Sequence, residues 1–182
     1  MIYGKLIGNS TDMNIIIETD RLILRTFTED DAQLIYDLNL DPEVTRYTHD
    51  PVKDINHAKE ILMKTILPQY ALYNHGRWAV HVKSGLKFIG WCGLKYRPEE
   101  NEIDLGYRFR KEFWGHGYAT EAAFASIKYG FERLNINRIV GRAEPDNIGS
   151  WMVLEKCGME YIGQGIVDGY PARTYEIYNP LP

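Results

Sequence analysis

Cysteine is scarce in this 182-residue chain: Cys92 and Cys157 are the only two, too few and too scattered for a disulfide framework or a thiolate metal site. Such usage suits a reducing compartment, and each cysteine is expected to be a buried core residue. The five histidines form no HxH or HxxxH pair, which argues against a metal site. No apolar run is long enough to span a membrane, and the start, MIYGKLIGNSTDM, lacks the apolar centre of a signal sequence. A cytoplasmic protein is expected. An excess of positive charge is missing too. The formal net charge of -4 argues against general nucleic-acid or membrane-surface binding, since both need clustered cations to neutralise phosphates. Internal repeats and low-complexity tracts are also absent.

What is present suits a folded domain with a sizeable core: 45% of residues are hydrophobic and 25% charged. No composition shift marks a second unit, so residues 1–182 are expected to form one domain, with 1–13 a flexible N-terminal extension. IIIETDRLILRTF (15–27) reads as a strand leading into a helix over 29–39, because TEDD puts a hydroxyl and then acids in a first turn. Asp41-Pro42 reads as a turn. A second helical stretch is expected over 56–73, with a break near Pro68. RWAVHV, KFIGWCGLKY and EIDLGYRF then read as an antiparallel meander. In the third segment Ile103, Leu105, Tyr107 and Phe109 alternate with Glu102, Asp104, Gly106 and Arg108, so one face suits a core and the other can host chemistry.

The strongest local signal follows. Gly115 and Gly117 precede a helix that carries Ala123, Ile127, Phe131 and Leu134 in one apolar stripe. Glycines allow positive φ, and backbone N–H groups there can converge on an anion at a helix start. Taken alone, the same pattern reads first as a tight structural turn. It lacks the GKS or GKT ending of a P-loop, and a meander is the wrong setting for a dinucleotide-binding unit. Beyond it, NRIVGRAE reads as a buried strand, PDN as a turn, SWMVLEKCG as a short helix ended by Gly158, and the remainder as a closing hairpin.

EIDLGYRFRKEFWGHGYATEA followed by NRIVGRAEPDNIGSWMVLEKCGM resembles the GNAT superfamily of N-acetyltransferases, over most of the chain. RLILR, DPEVTRY and the pairing of WGHGYATEA with PDNIGSWMVLEKCGM look like its RimJ/RimL-type branch, which contains ribosomal-protein alanine N-acetyltransferases. The resemblance implies an α/β (α+β) fold. Its sheet would be mixed, mostly antiparallel and twisted, with about seven strands flanked by helices and splayed between the central strands. It also implies acetyl-CoA as cofactor. The family's loop pattern falls on Trp114, Gly117 and Ala119, with Trp114 where Gln or Arg is usual. By the resemblance, main-chain groups of Tyr107 and Phe109 would meet the pantetheine arm. The turn from Trp114 and Gly115 would lead into His116, Gly117, Tyr118, Ala119 and Thr120 around the pyrophosphate. Asn147 looks like the family's cofactor-binding Asn and Ser150 like the branch's Ser near the thiol, although both also suit an N-cap. Gly106 or its neighbours would be where a bulge lets the strand part from its neighbour.

The implied reaction is direct attack by an amine in a ternary complex. A lysine-type amine has a pKa of about 10.4 and an α-amine one near 8, so a base or water chain must take a proton. Glu102 and Asp104 are the first candidates; the alternative for both is a solvated strand end or an ion pair. Many GNAT enzymes carry a Tyr general acid where this chain has Leu154, so Ser150 or water would protonate the thiolate. The partner is an amine acceptor, either a peptide N-terminus or a small molecule, and a homodimer is compatible with the pattern. A non-catalytic acyl-CoA-binding module is the rival, and Leu154 is its best support.

Overall fold

The computed structural model describes residues 13–180, so the extension expected over 1–13 lies, apart from Met13, outside the described residues. The aliphatic stretch from Ile15 folds back on itself. β1 (Ile15–Glu18) and β2 (Leu22–Arg25) pair antiparallel around a turn. In that turn the Thr19 hydroxyl accepts from Leu22 N at 2.9 Å and Thr19 N donates to Leu22 O at 3.0 Å. A hydroxyl that satisfies turn backbone splits the run in two. Among the described residues the sheet therefore has eight strands, in line with the expected number of about seven.

A short 3-10 turn leads into α1 (Ala32–Asn39), where Thr28 N donates to the Asp31 carboxylate at 2.8 Å. Asp41-Pro42 begins a helix instead of merely turning: Asp41 accepts from Glu43 N at 2.9 Å and Pro42 opens α2 (Pro42–Thr45). Proline fits there because the first helical N–H has no intrahelical partner. Helical backbone also runs unbroken from 55 to 73. α3 (Ile55–Ile61) passes through a π turn, Leu62–Ile66, into α4 (Leu67–Tyr73). The widened turn takes up the irregularity expected at Pro68, which sits at the N-terminus of α4.

β3 (Arg77–Val82), β4 (Phe88–Arg97) and β5 (Glu102–Phe109) form the expected meander. α5 (Tyr118–Leu134) carries the chain across to β6 (Arg138–Ala143), which pairs parallel with β5. A parallel pair needs such a crossover. α6 (Ile148–Lys156) and the hairpin of β7 (Glu160–Val167) and β8 (Tyr170–Tyr178) complete the order β1-β2-β3-β4-β5-β6-β8-β7.

The alternation of β3 distributes the core over both faces of the sheet. Trp78 and Val80 belong to a cluster with Ala123 and Ile127 of α5 and Leu154 of α6. Ala79 belongs to a second cluster with Ile35, Val44 and Leu62 from the helices before it. No helix among the described residues is long and apolar enough to cross a membrane.

One feature of the sheet positions the site. β5 pairs with β4 without a register shift from Gly90↔Phe109 to Arg97↔Glu102, yet with β6 only at Asp104↔Val140 and Leu105↔Gly141. The central strands therefore part after Leu105, with no bulge at Gly106. Gly106 has a different role: a Cβ there would lie 2.5 Å from the Arg77 guanidinium, which needs that space to reach Asp104.

Candidate active site

Where β5 and β6 diverge, a cleft of about 640 Å³ opens between the end of β5, the start of α5 and the start of α6. It is lined by Tyr107, Phe109, Trp114, Gly115, Gly117, Tyr118, Ala119, Thr120, Asn147 and Ser150, ten of the residues that the sequence marks for a cofactor. His116 is exposed and does not line it; its ring contacts the Trp114 carbonyl at 2.8 Å. Trp114 fixes the turn from the other side, its indole N–H donating to Phe109 O at 2.8 Å.

Gly117 caps α5 with φ +77°, and no side chain caps the helix. The first N–H groups of a helix have no intrahelical acceptor, so they supply donors and positive potential at the cleft. Gly115 has φ +76°, and a Cβ there would meet nothing within 4 Å; its requirement is conformational. The cleft thus offers backbone donors, an apolar wall and about 640 Å³ of space, which is the chemistry a phosphorylated ligand such as coenzyme A needs.

Two residues to which the sequence assigns no role in the site hold this turn. Arg21, between β1 and β2, donates to the Glu121 carboxylate at 2.6 Å and to His116 O at 3.0 Å, and lies 4.5 Å from the Tyr118 ring centroid. Thr19 donates to Glu121 at 2.6 Å. Burial raises the Glu121 pKa, but hydrogen bonds from Thr19 and Arg21 outweigh it and hold the carboxyl below its ordinary value. These pairs join residues about a hundred positions apart, and no local pattern announces them.

At the floor of the split, the Tyr107 hydroxyl donates to Ser150 O at 2.6 Å, and the Ser150 hydroxyl donates to the Tyr107 oxygen at 3.1 Å. Burial drives the Tyr107 pKa well above the ordinary tyrosine value, with the Ser150 hydrogen bond offsetting only part of the rise. The phenol therefore keeps its proton at neutral pH. Asn147 accepts from Ser150 N at 3.2 Å through its side chain, so the capping role holds while both residues also line the cleft. Leu154 is buried to 1% exposure, and a Cβ on Gly141 would come within 2.6 Å of its side chain. It packs the core against β6 and does not line this cleft.

A second cavity of about 250 Å³ lies on the other side of this floor and shares Tyr47, Thr48, Tyr107, Asn147 and Ser150 with the first. Asp104 lines it, but its carboxylate pairs with Arg77 at 2.5 Å and faces Arg142 at 3.6 Å. Glu102 lines neither cavity. Its oxygens pair with Arg138, at 2.9 Å, and with Arg142. Burial raises the Glu102 pKa, but those guanidinium hydrogen bonds outweigh it, so the net shift is downward. A carboxylate so held is a weak proton acceptor. The ion-pair alternative describes both carboxylates.

The loop after α2 shapes the second cavity. Arg108 anchors it, binding Asp50 at 2.6 Å and also the Asn39 side chain at the end of α1. His49 stacks on Tyr170, with centroids 3.7 Å apart and planes 3° apart, and its Nε2 meets the Glu144 carboxylate. The sequence reading missed this pair, because residues 49 and 144 meet only through the tertiary fold. Neither thiol is poised for chemistry: burial pushes Cys92 up to about 12 and Cys157 to about 11.

Comparison with known proteins agrees with this architecture. The family model described as an acetyltransferase (GNAT) domain matches residues 21–160. The N-acetyltransferase p20 of Bacillus licheniformis, itself uncharacterised, is 33% identical over 88% of this chain and 91% of its own length. The crystal structure of an acetyltransferase from Agrobacterium tumefaciens superposes with a TM-score of 0.78 at 24% identity, covering 97% of this chain and 99% of that one. RimL, a ribosomal L7/L12 alpha-N-protein acetyltransferase solved with coenzyme A, gives a TM-score of 0.77 at 18% identity over 90% of this chain and 97% of that one.

Proposed function

The chain belongs to the GNAT acetyltransferases and is an acetyl-CoA-dependent N-acetyltransferase, and on that premise we propose that a primary amine enters the second cavity and meets the acetyl group at Tyr107 and Ser150. The observation that carries this reading is the shared floor: two cavities of about 640 and 250 Å³ touch at Tyr107, Asn147 and Ser150. One is larger and is lined by the N-terminus of α5; the other is smaller and lined by paired charges. A donor and an acceptor held on opposite sides of one floor react without a covalent enzyme intermediate.

Acetyl-CoA supplies a thioester whose carbonyl carbon accepts the amine. This chain's residues do the rest. The free N–H groups of Tyr118, Ala119 and Thr120, with the turn at Gly115 and Gly117, hold the pyrophosphate. The β5 backbone at Tyr107 and Phe109 lies along the pantetheine arm, where β6 has withdrawn. Ser150 and Tyr107 present hydroxyls where sulfur must leave. A hydrogen bond to a charged group contributes about 1.5–3 kcal/mol, so one hydroxyl beside a developing thiolate is worth roughly ten- to a hundredfold in rate.

For the acceptor, we assign a primary amine at the end of a peptide or of a small molecule. The blocks RLILR and DPEVTRY resemble RimJ/RimL-type enzymes, which favours a peptide α-amine. The test is a panel of alanine- and serine-leading peptide amides, spermidine and aminoglycosides, incubated with acetyl-CoA while thiol release is followed. Acceptor-dependent release fastest with the peptides is the expected result. Saturable CoA binding without release for any amine would overturn the assignment.

A further inference from the structure

The second cavity contains a pair that acetyl-CoA binding does not use. His49 lies on its wall with φ +52°, a left-handed conformation that few non-glycine residues adopt. Two contacts hold the ring there: the parallel stack on Tyr170 and the bond from Nε2 to Glu144. Among the described residues no hydrogen bond reaches Nδ1. A carboxylate on one ring nitrogen fixes the tautomer, placing the proton on Nε2 and leaving Nδ1 as a base.

The surroundings single this pair out. Of the charged groups on the cavity, Arg77 pairs with Asp104, and Arg97 with Asp168 and Glu100. Arg142 is taken by Glu102 and faces Asp104. Asp50, next to His49, is bound by Arg108. Glu144 has no ion-pair partner other than His49 among the described residues. The remaining titratable side chains on the wall are the phenols of Tyr47, Tyr107 and Tyr170. Among the described residues, His49–Glu144 is thus the one carboxylate–imidazole pair on the acceptor side, and its histidine is a third exposed.

We propose that His49, oriented by Glu144, is the proton acceptor for the incoming amine, an inference that rests on the second cavity being the acceptor site. The ammonium gives one proton to His49 Nδ1, and Glu144 balances the imidazolium. The freed lone pair forms the carbon–nitrogen bond while the carbon–sulfur bond breaks. The nitrogen's surplus proton ends on the departing thiolate, and His49 returns its own to solvent. An α-ammonium near 8 gives up its proton to a ring nitrogen about 250-fold more readily than an alkylammonium near 10.4. The pair therefore suits α-amines.

The test is the pH profile of kcat/KM with an alanine-leading peptide amide, spermidine serving as second acceptor. In the wild type the acid limb should lie below the amine's own pKa. His49→Gln should lower kcat/KM by at least thirtyfold and move the limb up to the amine's pKa, with CoA affinity within twofold of wild type. Glu144→Gln should shift the limb to lower pH, because the imidazolium loses its counter-charge. A limb at the amine's pKa in the wild type, or unchanged profiles in both variants, overturns the proposal. If either variant loses CoA binding, NMR titration of the His49 ring decides. A pKa that falls on Glu144→Gln supports the pair, and one that does not move overturns it. Wild-type inactivity with bound CoA counts against the acceptor assignment itself.

Discussion

Ser150 and Tyr107 form a two-hydroxyl chain that ends on the Ser150 carbonyl, so removing either member changes the other's bonding. Ser150→Ala is expected to lower kcat by roughly ten- to a hundredfold, with CoA affinity changed less than threefold, because a thiolate partner matters mainly in the transition state. Steady-state kinetics beside direct CoA titration separates the two; an unchanged kcat would remove Ser150 from the chemistry. Gly117→Val places a β-branched residue at φ +77°, where strain of about 1–2 kcal/mol is expected. It also puts a side chain against the phosphate approach. CoA should bind at least about tenfold more weakly, and wild-type affinity would mean that the turn does not hold the phosphates. The sequence singles out Ser150 and Gly117 because each sits in a compact motif, and both line the cleft. It assigned Tyr107 a backbone role only, since the partner of its hydroxyl is 43 positions away.

At the scale of elements, the meander, the helix after the glycines and the short helix after PDN were all readable from period and punctuation. The splay was not. It is a property of two strands that meet across a helical crossover, and it shows only in where β5 and β6 stop pairing. Nor does any local pattern announce that Arg108 ties the far end of the loop after α2 to β5 and α1. Asp50 is itself 60% exposed at its side chain, so Asp50→Ala should cost little stability, within about 0.5 kcal/mol. It should raise the acceptor KM severalfold and leave CoA affinity alone. An unchanged acceptor KM would mean that the loop's anchoring does not shape the second cavity. Glu102 and Asp104 were read correctly as lying on the polar face of the strand, but their ion pairs come from β3 and β6, which no local window contains.

Across the whole molecule, acid should destabilise the fold in two stages. Burial lowers the pKa of both His75 and His81, and His81 Nε2 accepts from Arg25 at 3.1 Å. Groups kept neutral in the fold cost stability as pH falls below their unfolded value near 6.5. Asp31, Glu102 and Glu121 have net-depressed values: burial opposes each, and hydrogen bonds from Arg25 to Asp31, from Arg142 and Arg138 to Glu102, and from Thr19 and Arg21 to Glu121 prevail. Their stabilisation is complete above about pH 4 and is lost as pH falls through the folded values. The melting temperature should therefore decline from about pH 6.5 and again below about pH 4. His81→Gln should flatten the first decline, and a profile level between pH 7 and 5 would contradict the buried neutral histidines.

The central claim is that donor and acceptor occupy the two cavities together and react directly across Tyr107 and Ser150. Initial rates measured over a grid of acetyl-CoA and amine concentrations test it most directly. Direct transfer in a ternary complex predicts double-reciprocal lines that intersect. Parallel lines, with acetylated protein accumulating in the absence of amine, would contradict it, because they require a nucleophile on the enzyme, and the two thiols, pushed up to about 12 and 11, are not prepared for that role.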